Sequence, residues 1–370
     1  MKTYKNLYPR ICEFENLYAA YRQARRGKRH RPDVAAFEFN LELELPRLQE
    51  ELTTETYRPG PYHHFTRYER KPRRISAAPF RDRVAHHALC NVIEPIWDAS
   101  PTGARFIHDS YACRVGKGTH AALDRCTHFA RRYPYVLQGD IVQFFPSVDH
   151  AILYDLLARR IACRPTRRLI RRIINSGAGI HDDNWEMQWF PGDDLFAATR
   201  PRGLPIGNQT SQFWANVYLH ELDMFVKQTL RCKAYLRYCD DVLLFAADKP
   251  PLHRWRREIE TFLISLRLQL HRHKTTIYPV TNGIPFLGFH VFPDHRRLQR
   301  SNGVYFQRRL KRMVACYAAG EITRERLDAS VQGWIAHAEH GDTWGLRQSI
   351  FDRFTIPPEG SALSVDALSF

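Results

Sequence analysis

The sequence predicts an α+β fold, and three observations carry that prediction. Val84, Ala88, Val92 and Ile96 recur at every fourth position and give a helix one buried stripe. Residues 135–145 form an apolar run suited to a buried strand, bearing a single carboxylate, Asp140. Residues 234–238 and 242–246 are two further strand-like runs, joined by a tight Cys239-Asp240-Asp241 turn. An antiparallel sheet backed by helices is the arrangement that buries both kinds of apolar face.

From the N-terminus, residues 1–31 carry nine Lys or Arg against two Glu, with Tyr4, Tyr8, Phe14, Tyr18 and Tyr21 interleaved. Such a stretch is either a solvated basic helix end or a surface that tracks a nucleic-acid backbone. Residues 33–52 read as a helix with Leu41, Leu45, Leu48 and Leu52 on one face, divided by Pro46. Residues 62–69 read as a strand, and residues 70–74 as a basic loop leading into the apolar helix. His86 and His87 lie beside its stripe with no acid or thiol at ligand spacing, so they are expected to be satisfied structural histidines. The strand at 135–145 ends at Pro146-Ser147, and a helix starts near Asp149. Residues 180–202, rich in Gly, Pro, Asp and Trp, are expected to form an inserted hairpin or loop whose acids Asp182, Asp183, Asp193 and Asp194 are solvated. A helix follows from Gln209.

Composition narrows the function. Lys and Arg exceed Asp and Glu by 55 − 39 = 16 in 370 residues, an excess that points to a polyanionic partner, nucleic acid ahead of an anionic membrane. The length is that of two or three lobes. The eight cysteines are scattered singly, without CxxC pairs, and are expected to be reduced core thiols in a cytoplasmic protein. The N-terminus lacks the apolar run of a signal peptide, and no stretch approaches a membrane span, so no membrane partner is expected.

A lone Asp in an apolar strand needs a reason, whereas an Asp-Asp turn by itself does not, because Asp suits turns. Set beside Asp140, however, Asp240 and Asp241 could converge from a neighbouring hairpin tip. Hard Mg²⁺ ions require such oxygen ligands, and two of them about 4 Å apart would suit in-line nucleotidyl transfer.

At these residues the sequence resembles the reverse transcriptases. Tyr238-Cys239-Asp240-Asp241 matches their YxDD box, and Asp140 matches their first palm aspartate. Ser110-Tyr111-Ala112-Cys113-Arg114 with Gly116-Lys117-Gly118-Thr119-His120 resembles the block preceding the palm, and Gly203-Leu204-Pro205-Ile206-Gly207 the loop lining the nucleotide pocket. Lys274-Thr275 and Phe286-Leu287-Gly288-Phe289 resemble the late-palm lysine motif and the primer grip. Within the family, the segment from Ile206 to Gln212 (IGNQTSQ) and the block from Asp82 to Leu89 resemble the enzymes of diversity-generating retroelements. Most relatives carry Gln where this chain has Ile206, and Pro where it has Gln212. Phage-defence and other bacterial reverse transcriptases share parts of the pattern.

The resemblance implies a right-hand polymerase, with fingers and palm over 1–292 and a short helical thumb over 293–370, and with no room for an RNase H domain beside the thumb. It implies two Mg²⁺ ions, with Mn²⁺ an acceptable substitute, held by Asp140, Asp240 and the Ile141 carbonyl, with Asp241 a weaker ligand or electrostatic support. Phe145 would lie beneath the incoming sugar and exclude a 2′-hydroxyl, Arg73 would clamp the triphosphate with Arg74 and Lys71 as nearby alternatives, and Lys274 would neutralise or protonate the pyrophosphate. Ile206 and Gln212 complete the nucleotide-binding set, and Ile206 removes a polar check on the nascent base pair, which lowers fidelity opposite template adenine. Phe286, Leu287 and Gly288 would form the primer grip. Arg114 and Lys117, with Arg308, Arg309, Lys311 and Arg312 of a region that holds seven Lys or Arg and no acid over 295–312, would contact nucleic acid. The implied partners are template RNA, cDNA or primer, dNTPs, and a small basic helical accessory protein that forms an oligomeric ring. Two other roles stay open: a phage-defence enzyme copying a dedicated noncoding RNA, and a maturase-like RNA-binding protein.

Overall fold

A computed structural model describes residues 2–68, 72–98 and 106–353. Lys71 and the last part of the 293–370 segment therefore lie outside the described residues. The chain opens with α1 (Tyr8–Cys12), α2 (Phe14–Arg25), α3 (Pro32–Phe39) and α4 (Leu41–Thr53), then the antiparallel ribbon β1 (His63–Tyr68) and β2 (Pro72–Ala77), then α5 (Phe80–Ile93). Next come α6 (Thr119–Arg132), β3 (Tyr135–Gly139), α7 (Phe144–Ser147), α8 (His150–Ala158), α9 (Arg164–Ser176) and α10 (Gln209–Met224). The hairpin β4 (Tyr235–Tyr238) and β5 (Asp241–Ala246) precedes α11 (Lys249–Ser265) and β6 (Thr276–Pro279). The three-stranded sheet β7 (Ile284–Phe286), β8 (Phe289–Val291) and β9 (Arg296–Leu298) is followed by α12 (Arg300–Ala318), α13 (Arg324–Ala338) and α14 (Trp344–Phe351). The predicted α+β class is what forms.

Two compact units result. One comprises Met1–Gly118, Leu137–Leu244 and Pro250–Ile277; the other comprises Thr119–Val136, Phe245–Lys249 and Tyr278–Phe370. At the centre of the first, α5 packs against α2 and α10, and its Val84, Ala85, Ala88, Leu89, Val92 and Ile93 are all buried, so the helix is enclosed rather than striped. The central sheet has the order β4-β5-β3-β6, which puts β3 beside the hairpin. In the second unit, Phe306, Leu310, Val314 and Tyr317 of α12 close a core with Leu327 and Ile350, and Trp334 stacks on Phe306 with ring centroids 3.9 Å apart.

Several expectations are corrected. Pro72–Ala77, expected to be mostly loop, is a strand paired with β1, which forms where a strand was expected; β2 opens on Pro72-Arg73-Arg74, so no apolar alternation marked it. The break in the 33–52 helix falls at Asn40, whose backbone and side-chain N–H groups both donate to the Ala36 carbonyl, while Pro46 sits inside α4. The strand from Tyr135 stops at Gly139, and Phe144 and Phe145 belong to the helical turn α7. Of the two forms expected for residues 180–202 the loop is the one present, with two short 3-10 turns and no strand. Asp182, Asp183 and Asp194 are exposed as expected, the first two paired with Arg202 and Arg74 and the third capping Ala197, whereas Asp193 is drawn in and pairs with Arg267 through two bonds of 2.6 and 2.8 Å. His86 is buried with neither ring nitrogen hydrogen-bonded among the described residues, so it is not a satisfied histidine. Of the cysteines, all free, Cys113 is exposed and Cys239 and Cys316 are half-buried; the other five are in the core. No described helix is long and apolar enough to cross a membrane.

Candidate active site

The register of β4 and β5 pairs Tyr238 with Asp241, so the loop holds two residues, Cys239 and Asp240, and Asp241 opens β5 instead of belonging to the turn. Cys239 has φ +56°, a left-handed conformation that costs a non-glycine residue about 1–3 kcal/mol and persists only where its surroundings enforce it. The enforcement comes from Arg237. Both Arg237 and Asp223 of α10 are 0% exposed, and the guanidinium grips the carboxylate through Nε (2.8 Å) and Nη2 (2.7 Å). Tyr235 Oη donates to the same carboxylate at 2.7 Å. Arg237 Nη1 then donates to the Cys239 carbonyl at 2.9 Å, inside the turn itself.

Asp140 follows directly on β3. Gly139 allows the approach: a Cβ there would lie 3.0 Å from Val242 Cγ2 of β5. Beyond it, the Asp140 carbonyl accepts from His271 N–H (2.8 Å), and Val142 N–H donates to Gln269 (2.9 Å), with Ile141 bridged to Leu270 between them. This short zipper brings Lys274 round to Asp140, and its ammonium touches the carboxylate. The two are an exposed cation and a mostly buried anion.

Asp140, Asp240 and Asp241 lie within electrostatic reach of one another. Burial raises the Asp240 carboxyl above the usual carboxylate range, the Asp140 charge adds to it, and Arg73 opposes it. Asp241 is pushed up to about 7 by burial first, then by the charges of Asp240 and Asp140, with Lys274 opposing. Carboxyls held protonated in this way, as Asp240 and Asp241 are, mark a site short of positive charge. Hard oxygen donors on adjoining strands fit a divalent cation such as Mg²⁺, although among the described residues no three acid, His or Cys side chains already surround one point. Asp140, Asp240 and Asp241 could hold it once Lys274 withdraws from Asp140.

Around this cluster, Arg73 stands exposed on β2, while Arg74 is engaged with Asp183 at 2.7 Å. The loop bearing Ile206 is fastened to β2: Ser76 N–H donates to the Ile206 carbonyl (3.0 Å), and the Asn208 amide bonds Ala78 N–H and the Ser76 carbonyl (both 3.3 Å). Phe145 is half-buried and its carbonyl accepts from Leu204 N–H at 2.8 Å, so the ring's backbone is joined to that loop; Phe144 is in the core. Gln212 lies exposed on the first turn of α10, beside a cavity of about 820 Å³ that it lines with Gln23, His87, Glu94 and Cys113.

The remaining predicted residues divide sharply. Arg114 is turned inward, bonded to Asp98 (2.6 and 2.9 Å) and to the carbonyls of Ile107 and Ser110 (both 2.7 Å), so it braces its block and offers no guanidinium to a phosphate. Lys117 donates to the His108 carbonyl at 2.9 Å. In the second unit, Phe286 is buried, and Leu287 and Gly288 (φ +47° and +93°) form the two-residue loop between β7 and β8, held by Gln299 N–H and Asn302 Nδ2 on the Gly288 carbonyl. Arg308, Arg309 and Arg312 are exposed and Lys311 half-buried on α12, whose other face supplies the core. Sequence reasoning missed Arg237 and Asp223. The signal was there, since Arg237 is a lone cation in an apolar strand, as Asp140 is a lone anion.

Comparison with known proteins agrees with this geometry. Residues 65–291 match the family model described as reverse transcriptase (RNA-dependent DNA polymerase). The chain is similar to protein YkfC of Escherichia coli, 27% identical over 70% of this chain and 73% of that one. It is also similar to the group II intron-encoded protein LtrA of Lactococcus lactis, 22% identical over 84% of this chain but only 56% of LtrA. A third relative is an uncharacterised 91 kDa protein in the cob intron of Schizosaccharomyces pombe, 28% identical over 40% of this chain and 16% of its own length. With the family model covering more than half of its residues, from the β1–β2 ribbon to β8, the chain belongs to the reverse transcriptase family of RNA-dependent DNA polymerases.

Proposed function

We propose that this chain copies a retroelement template-repeat RNA into error-prone, adenine-mutagenised cDNA that diversifies a target gene. The observation that carries the polymerase reading is the mutual electrostatic crowding of Asp140, Asp240 and Asp241, which Arg73 and Lys274 oppose. Reverse transcriptases use divalent metal ions; two Mg²⁺ bound here would activate a primer 3′-hydroxyl and neutralise the departing pyrophosphate. Lys274, released from Asp140, becomes free to meet that pyrophosphate. In this reading Arg73 on the exposed ribbon takes the triphosphate, and Phe145 closes the space beneath the sugar. Residues 1–292 serve as fingers and palm and 293–370 as thumb, with Phe286, Leu287 and Gly288 as the primer grip.

The diversifying role rests on Ile206, which stands where most relatives carry Gln, on a loop tied to the Arg73 strand. An apolar side chain there discriminates less between correct and incorrect base pairs. A basic helical accessory protein is the expected partner. The test is primer extension on a defined RNA with dNTPs, Mg²⁺ and the Asp240→Asn control, followed by sequencing of the cDNA. Asp240-dependent product with errors concentrated opposite adenine, reduced by Ile206→Gln, supports the proposal; faithful product removes the diversifying role. The intron-encoded relative LtrA favours a second reading, RNA binding in aid of splicing, which tight RNA binding without Asp240-dependent synthesis would establish.

A further inference from the structure

We infer that Arg237, clamped by Asp223, is a positioning residue for the catalytic turn: it holds Cys239 and Asp240 in the conformation that presents the acids to metal. The inference rests on the polymerase reading of Asp140, Asp240 and Asp241 and names what organises them. A guanidinium carries five N–H donors, and in Arg237 every one is assigned. Nε and Nη2 hold Asp223, Nη2 also reaches Ser110 Oγ (3.1 Å), and Nη1 reaches Asn216 Oδ1 (3.2 Å) and the Cys239 carbonyl. The main chain is fixed as well. Arg237 N–H donates to Asp109 (2.8 Å), and its carbonyl accepts from Tyr111 N–H (3.0 Å). One side chain therefore joins the hairpin, α10 and the Asp109–Tyr111 segment beside Asp240.

Two features separate positioning from simple stability. A fully buried ion pair seldom stabilises a fold more than apolar residues of the same volume would, so stability alone gives little reason for this pair in an otherwise apolar strand. Moreover, one of the five donors is spent on the turn carbonyl, the bond that fixes the left-handed Cys239. Lysine could keep the charge but not the fork, because its ammonium is a point donor on a flexible stem. An outer group that orients metal-binding residues typically matters about 10–100-fold in metal affinity or activity.

The experiment compares the full chain with Arg237→Lys and with the charge-free pair Arg237→Met/Asp223→Leu, using Asp240→Asn as control. Three quantities are read: thermal midpoint, Mn²⁺ affinity of the protein alone by electron paramagnetic resonance, and kcat and KM for dNTP on an RNA template. The expected result is that both variants fold, bind Mn²⁺ about 10–100-fold more weakly, and lose kcat by a similar factor with KM for dNTP changed less than about two-fold. Unchanged Mn²⁺ affinity and kcat in either folded variant overturns the inference. So does a loss fully accounted for by a smaller folded fraction. If the unaltered chain shows no Asp240-dependent synthesis, the polymerase reading fails instead, while the Mn²⁺ comparison still decides the positioning role.

Discussion

Asp241 is the residue whose ionisation links the proposed chemistry to stability. Its carboxyl titrates at about 7 in the folded, metal-free chain, against an ordinary value of 3.8. At this group the native state therefore binds more protons than the unfolded state between roughly pH 4 and 7, so its contribution to stability falls as pH rises through that window. The metal-free thermal midpoint of the unaltered chain, taken relative to Asp241→Asn, should decline from pH 5 to pH 8, and Mg²⁺ should restore most of that difference at pH 8. A difference independent of pH would mean that the acids are not crowded. Phe145 can be tested on its own. If its half-buried ring closes the space below the sugar, Phe145→Val should raise ribonucleotide incorporation by roughly 10–100-fold relative to deoxynucleotides, the range that a pocket of changed volume spans. Equal discrimination in single-nucleotide kinetics would return Phe145 to the role of a packing residue.

Among the elements, α5 shows both the reach of the sequence and its limit. The period of four in Val84, Ala88 and Val92 foretold a helix, and the structure has it, but periodicity could not say that the opposite face is covered too by α2 and α10. His86 thus ends up buried, held neutral with its titration down at about 3, by burial first and then by His87 and Arg83; His87 is held at about 4, by burial and then by Lys28 and Arg83. Because the unfolded chain takes up these protons and the folded one does not, stability present above pH 6.5 should be lost as pH falls toward 4. His86→Leu replaces two unpartnered polar atoms with apolar volume of similar size and should leave stability at pH 7 equal or higher by about 1 kcal/mol, with a shallower acid limb in chemical denaturation. A marked loss at pH 7 would show that the imidazole has a polar partner after all. Other elements were legible where one face is buried or chemistry marks the residues, as in the β4–β5 hairpin. They were illegible where neither holds: β2, unlike its partner β1, opens on Pro72-Arg73-Arg74 with no apolar alternation, and the strand end at Gly139 lies where a neighbouring strand approaches, a tertiary effect. The same limit hid Arg237 and Asp223, whose partners are far apart in sequence, and misassigned Arg114, whose basic character says nothing about which way it points.

For the whole molecule, the net charge of +16 matters through where it can meet phosphate. Many arginines are already spent on internal acids, including Arg25 and Arg29 on Glu38, Arg168 on Glu55, and Arg267 on Asp193, so the formal excess overstates what a nucleic acid would meet. On α12 the division is cleaner. Phe306, Leu310, Val314 and Tyr317 turn into the core, while Arg308, Arg309 and Arg312 are exposed and Lys311 is half-buried, and none of the four is ion-paired among the described residues. Replacing all four with Gln keeps helix propensity and leaves the apolar face untouched, so the fold should be unaffected. If they bind template and primer, each phosphate they neutralise adds about 0.7–0.9 to the steepness of log K against log salt, and the quadruple variant should lower that steepness by about 3. Binding of an RNA–DNA duplex measured across a salt series checks this. Weaker binding with an unchanged slope would place the phosphate-binding groups on another surface and leave α12 a solvated helix face.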